Sequence, residues 1–217
     1  MGTAAEFEAR LGDLREAAAG RLPMRQVFDL ARALVDTAPG EIEFLLESDD
    51  LEARVGAVSI MDFQARRKST SDLRRTELYE LYLRRHDRID TWQQVDRAAP
   101  HVVGGHLWDR PREPLYRLAA APHWWERRTA IVSTWFFIRR GDLDDTFRIG
   151  GLLAHDPEHF VQTAVGGWVR EAGKRDRQAL LAFLDRHAAT MPRTALRYAT
   201  EHLPPDLRTH YRDAART

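Results

Sequence analysis

The sequence contains no cysteine, which excludes disulfides, thiolate metal sites and a cysteine nucleophile together. Lysine is nearly absent: of 33 basic residues only Lys68 and Lys174 are lysines, and the remaining 31 (33 − 2) are arginines. No apolar run approaches the roughly 20 residues that a membrane-spanning helix requires, so no membrane association is expected. The opening stretch, Met1 to Leu22, is charged and alanine-rich and lacks the apolar block of a secretory signal, so a cytoplasmic location is expected. Net charge is also missing, since Lys+Arg and Asp+Glu are both 33. Taken as a sum, that balance points away from nucleic acid.

What is present is a chain of 217 residues, 43% hydrophobic, enough for one substantial core or a continuous run of small stacked units. Its cations are planar, always-charged forks of five donors that suit phosphates and carboxylates. They are unevenly placed. Glu41, Glu43, Glu47, Asp49 and Asp50 crowd the first 50 residues, whereas Arg66-Arg67-Lys68, Arg74-Arg75, Arg84-Arg85 and Arg88 make the next stretch basic.

Helical periodicity dominates and strand-like alternation is almost absent. Val27, Leu30, Ala31, Leu34 and Val35 form an apolar stripe after Pro23, and Leu78, Leu81 and Tyr82 lie on a helix expected from about Ser71 to Arg85. Breakers recur at short intervals, at Pro39-Gly40, Pro111, Pro114, Pro122, Gly141, Pro157, Pro192 and Pro204-Pro205. They divide the chain into about ten to twelve helices of about 10–18 residues with short loops. No loop is long enough for a linker, so residues 1–217 read as a single domain.

A repeat underlies this punctuation. Segments beginning at Leu51, Trp125 and Phe160 share an apolar start, a polar middle and a small-apolar close, at spacings of 74 and 35 residues (125 − 51 and 160 − 125). A further unit is expected from Ile89, and a last one from Thr190. Helix pairs at this spacing predict an all-α, HEAT-like repeat forming a superhelical solenoid, in which each pair buries its apolar face on its neighbours. An irregular helical bundle is the alternative fold. In such a solenoid, equivalent positions of successive second helices line one face, typically concave. The third position after each start carries Arg54, Trp92, Arg128, Thr163 and Arg193. Asp96 follows Trp92 by one turn, about 40° around the helix, and Trp168 lies further round its own unit. The expected groove therefore holds Trp92, Asp96, Arg128 and Trp168, lined by arginine.

One carboxylate between two indoles suits a cationic target. Indole faces attract positive charge, a carboxylate stabilises a developing cation where water is excluded, and arginines hold phosphates. An alkylated nucleotide joins those two features, and cleavage of its glycosidic bond passes through an oxocarbenium-like state. The alternative is a HEAT-like module that binds DNA or protein without chemistry and would be free to lose the acid. Trp125, at the apolar start of its unit, reads as a core residue. His155 and His159 have a four-residue spacing, but Pro157 between them makes this a helix start with no third ligand nearby, and no metal site is expected.

At these residues the sequence resembles the AlkD-type alkylpurine DNA glycosylases, over about Gly20 to Leu203. Thr91-Trp92-Gln93-Gln94-Val95-Asp96 is similar to that family's tryptophan-x-x-x-aspartate segment. Trp125-Glu126-Arg127-Arg128-Thr129-Ala130 is similar to its tryptophan-x-x-arginine-x-alanine segment, and the stretch from Phe160 through Gly167-Trp168-Val169-Arg170-Glu171 to its glycine-tryptophan segment. The resemblance implies that Asp96 is the catalytic carboxylate, with Trp92 and Trp168 packing against the deoxyribose and lesion nucleotide. It implies that Arg128 holds the DNA backbone, with Arg54, Arg170, Arg193 and Thr163 as further DNA contacts. The implied substrate is double-stranded DNA containing N3- or N7-alkylated purines, and the product is an abasic site. No metal or cofactor is implied, no lyase step is expected without a lysine near the cluster, and the protein is expected to act as a monomer. Two departures stand out: Thr91 where the family often has an aromatic, and Phe160-Val161 where it often has paired aromatics.

Overall fold

In a computed structural model, residues 2–18 and 22–214 are described. They are all-α, with no strand among the described residues, and they form two compact units, residues 1–106 and 107–217.

The first unit comprises α1 (Ala4–Ala18), α2 (Met24–Ala33), α3 (Pro39–Glu47), α4 (Leu51–Arg66), α5 (Asp72–Arg84) and α6 (Trp92–Ala99). A 3-10 turn at His86–Arg88 precedes α6, and a π turn at Pro100–Gly104 follows it. Second helices form one layer, α2 on α4 and α4 on α6, and first helices form another, α1 on α3 and α3 on α5. Local chemistry sets the bounds. Pro23 cannot continue a helix inward from its extended conformation and marks the start of α2, whose Val27, Leu30 and Ala31 stripe is buried. The Ser71 hydroxyl accepts a hydrogen bond from the Arg74 N–H, so α5 begins within a residue of the expected position. The middle of α4 is buried around most of its circumference, Val55, Ala57, Val58, Ile60 and Met61 included, because neighbours cover it from both layers.

The second unit repeats the plan with α7 (Glu113–Ala119), α8 (Trp124–Ser133), α9 (Trp135–Ile138), α10 (Asp144–Leu152), α11 (His159–Gly173), α12 (Arg177–His187), α13 (Arg193–Thr200) and α14 (Pro205–Ala214). Here α8, α11 and α13 stack as second helices, α7, α10 and α12 as first helices, and α14 packs on α13. Helix α11 approaches α13 closely at Gly166. At Gly166 an added Cβ would stand 2.4 Å from the Ala195 carbonyl oxygen and 2.6 Å from the Tyr198 Cβ, so only glycine permits that approach. Arginines tie the loops down. Arg127 spans from α8 to Asp156 at 2.5 Å, and Arg112 holds Asp142 at 2.7 Å and also pairs with Asp145.

The helices of both units number slightly more than expected, because the Trp135–Ile138 turn and the C-terminal α14 each form a helix of their own. The expected repeat register needs correction. Its starts at 51, 125 and 160 fall within a residue of the helix starts Leu51, Trp124 and His159, but those at 89 and 190 precede Trp92 and Arg193 by three residues. Both early starts lie in connecting turns whose apolar residues, Ile89 and Met191, are buried. They look like helix beginnings in sequence without being helical. Arg54, Trp92, Arg128, Thr163 and Arg193 are therefore not equivalent positions. Counted from helix starts, the fifth residues are Val55, Asp96, Arg128, Thr163 and Arg197. No helix among the described residues is long and apolar enough to cross a membrane.

Candidate functional site

In the first unit, Trp92 is the first residue of α6 and Asp96 follows one turn later. The start of α6 is fixed by a capping box: the Gln94 N–H donates to the Thr91 hydroxyl at 3.4 Å, and the Thr91 N–H donates back to the Gln94 side-chain oxygen at 3.2 Å. The Gln94 amide also donates to the Arg88 carbonyl at 2.9 Å, anchoring the helix to the preceding turn. Thr91 thus does helix-capping work at the position where an aromatic was the family expectation. Trp92 is 44% exposed, an unusual state for an indole that could have been buried, so it is not a core filler. Asp96 is half-buried.

The roll of α6 is set by its next residue. Arg97 lies with its guanidinium 4.7 Å from the Phe28 ring of α2 and 4.5 Å from the Phe63 ring of α4. Its Nε donates to the Ser59 hydroxyl at 3.1 Å, and it stands 3.2 Å from the carboxylate of Asp62, which is 1% exposed. His101 Nδ1 lies 2.9 Å from the other oxygen of Asp62. Burial pushes the Arg97 pKa below its ordinary value, and the Asp62 charge works against that shift. With Arg97 clamped inward, the adjoining Asp96 is held at a defined angle on the same helix. Arg54 is nearby in sequence space only through its partner: it is 3.6 Å from Asp90, two residues before Trp92, and donates to the Ser48 carbonyl at 3.2 Å.

In the second unit, Arg128 on α8 is 7% exposed. Its guanidinium donates to the Phe160 carbonyl and lies 3.4 Å from the Thr163 hydroxyl, which itself donates to the same carbonyl at 3.0 Å. The structure therefore brings Arg128 and Thr163 together at the α8–α11 contact. Trp168, half-buried, sits further along α11. Arg170 is engaged by Glu201 and lies 3.3 Å from Glu171. Glu171 is half-buried, and although burial raises its pKa, Lys174 and Arg170 hold it below the usual value. Arg193 is exposed at the start of α13. Of the residues expected on DNA, Arg54 and Arg170 are held by carboxylates and Thr163 is taken up by Arg128. Arg193 presents its charge openly.

Trp125 departs from expectation. It is half-buried rather than core, stacked on His123 with ring centroids 4.5 Å apart and edge-on to Trp124 at 5.8 Å. Trp124 in turn lies 5.0 Å from Phe160, so the starts of α8 and α11 carry an aromatic cluster beside the Arg128 anchor. His155 and His159 share no helix face: His155 is in the turn before α11, with its Nε2 2.7 Å from the Thr190 hydroxyl. Among the described residues no group of three or more potential metal ligands occurs.

Two features escaped sequence reasoning. The aromatic sandwich around Arg97 has no local signature, because Phe28 and Phe63 are distant in the chain. The arginines of α13 and α14 did have one, the like-charge spacing Arg193-x-x-x-Arg197 and Arg208-x-x-x-Arg212.

A family model described as DNA alkylation repair enzyme matches residues 21–203. No curated protein matches the chain.

Proposed function

The chain belongs to the DNA alkylation repair enzyme family, and from that premise we propose that it is a monofunctional DNA glycosylase. It hydrolyses the N-glycosidic bond of cationic N3- and N7-alkylated purines in double-stranded DNA, as the first step of base excision repair. The observation that supports this most is the exposed indole of Trp92 one turn ahead of the half-buried Asp96, on a helix whose start and roll are both fixed. Neither side chain serves the core, and both are held still by groups that do.

The chemistry follows from the substrate. An alkylated purine carries positive charge, so it departs as a neutral base with the bonding electron pair, leaving positive charge on the deoxyribose. A fixed carboxylate next to that sugar stabilises the oxocarbenium-like transition state without reorganising. Asp96 takes this role and orients the water that adds to the sugar carbon, whose proton passes to the carboxylate or to solvent. Trp92 supplies a flat apolar wall against the sugar, which excludes water and favours cationic character through its ring face. Trp168 contributes a second such wall. Arg128, Arg54, Arg170, Arg193 and Thr163 contact the DNA, with Arg193 the most accessible and Arg128 the most firmly oriented.

In this reading the two units belong to one domain with a HEAT-like repeat, working as a cytoplasmic monomer without metal or cofactor. DNA carrying N7-methylguanine and N3-methyladenine provides the test. The protein is expected to release both free bases and leave alkali-labile abasic sites, with no strand cleavage before alkali. Binding to such DNA with no base released would make it a binding module instead.

A further inference from the structure

The α13–α14 region of the second unit contains a cleft of about 560 Å³ lined by Arg193, Arg197, Arg208 and Arg212, together with Glu201 and Thr209. The four arginines are all exposed. Several arginines of this unit are matched to acids, as with Arg112 and Asp145, Arg127 and Asp156, and Arg170 and Glu201. In the cleft the match fails. Glu201 is committed to Arg170, and Arg212 is 3.2 Å from Asp213. Arg193, Arg197 and Arg208 have no acidic partner among the described residues, and the guanidinium of Arg197 rests 4.4 Å over the Tyr198 ring. Like charges four residues apart on a helix repel. Here two such pairs face one cleft, so the free protein carries local repulsion that an anion would relieve.

We propose that this cleft is a second anion site that holds backbone phosphates of duplex DNA. The identity of the ligand rests on the glycosylase reading above; the presence of the anion site rests on the cleft itself. Arginines at i and i+4 stand about 6 Å apart along a helix axis, so each helix offers a short row of cations rather than a single point. Among the described residues no aromatic ring lines the cleft, which leaves nothing for a free nucleotide's base to stack on. Helix α13 is also the next second helix after α11, and Arg197 occupies the helix position held by Arg128 and Thr163 in the two preceding second helices. The cleft thus continues the row that carries the expected DNA contacts, and α14 doubles its charge.

The test compares the wild-type full chain with Arg197→Ala/Arg208→Ala and with a control, Arg177→Ala/Arg186→Ala, which removes two exposed arginines of α12. Affinity for an undamaged 25-base-pair duplex is measured by fluorescence anisotropy between about 50 and 200 mM salt, where each phosphate engaged contributes about 0.9 to the slope of log affinity against log salt. The cleft variant is expected to bind several-fold more weakly at low salt, with a slope shallower by about 1 to 2, while the control keeps the wild-type slope. A slope unchanged in the cleft variant, or reduced equally by the control, overturns the proposal. A parallel titration with inorganic phosphate separates the sources: saturable phosphate binding lost in the cleft variant, with unchanged duplex affinity, assigns the cleft to a free anion and also overturns it. Wild-type base release is scored in the same preparations. Absent release with the expected slope change defeats the glycosylase reading and leaves the cleft standing, whereas normal release with an unchanged slope does the reverse.

Discussion

Asp62 shows how much of the site depends on residues that touch no substrate. Its carboxylate is 1% exposed and faces Arg97, Arg66 and His101. Replacing it with leucine leaves the largely buried guanidinium of Arg97 uncompensated, which should cost roughly 3 kcal/mol in a urea titration. Asp62→Asn should cost less, because the amide oxygen can still accept. A second residue sets a pH dependence. Burial first, then the charges of His155 and Arg186, hold the His187 pKa below its usual 6.5. The folded state therefore favours the neutral ring, while the unfolded chain takes up a proton near 6.5. Stability from this group is fully present above that pH and declines as pH falls through it toward the folded value. His187→Gln should flatten the change in urea midpoint between pH 7.5 and 5.5, and leave untouched the separate loss below pH 4.5 that comes from the lowered pKa values of Glu43, Glu47 and Glu171. At this scale the Trp92–Asp96 pair was legible, because a four-residue interval is a property of the chain alone. The Arg97 clamp was not. In sequence Arg97 is one of many arginines, and only the fold brings Phe28, Phe63 and Asp62 around it.

Helix α6 is eight residues long, too short to hold its shape without help, so its cap carries unusual weight. Thr91→Ala removes the hydroxyl half of the capping box and should cost about 1 kcal/mol, measured by thermal unfolding. Thr91→Ser should restore most of it. The α11–α13 contact gives a second expectation for an element. Gly166→Ala forces a methyl group against the Ala195 backbone oxygen and Tyr198, and neither helix can yield without moving the other. A loss of about 1–3 kcal/mol is expected, against a gain of about 0.5–1 kcal/mol at Gly167, a helix-interior glycine where an added Cβ meets nothing within 4 Å. Helix order and most boundaries could be read from proline and capping signals, as at Pro23 and Ser71. The register across repeats could not. Ile89 and Met191 are buried like helix-start residues, but they belong to turns, and burial in a turn leaves the same apolar mark as burial on a helix.

Across the molecule, the zero net charge reflects pairing more than a lack of cationic surface. Acids of the first unit are spent on its own arginines: Glu43 on Arg84, Glu47 on Arg85, and Asp50 and Glu52 on Arg15. A sum over the chain counts those arginines equally with Arg193, Arg197 and Arg208, although only the latter offer charge that is not already matched. Affinity for undamaged DNA should accordingly be modest and depend only shallowly on salt, since few phosphates are engaged. The all-α architecture and the family were within reach of the sequence, because periodicity and motif order survive without coordinates. The α13–α14 cleft needed the packing of α14, which no repeat pattern foretold. The central claim, that Asp96 is the carboxylate on which base release depends, is tested most directly by single-turnover release of N7-methylguanine under saturating protein, comparing wild type with Asp96→Asn. Release slowed about 100-fold or more, with binding to the same DNA retained, is the predicted result. Equal rates of release from the two proteins would contradict it.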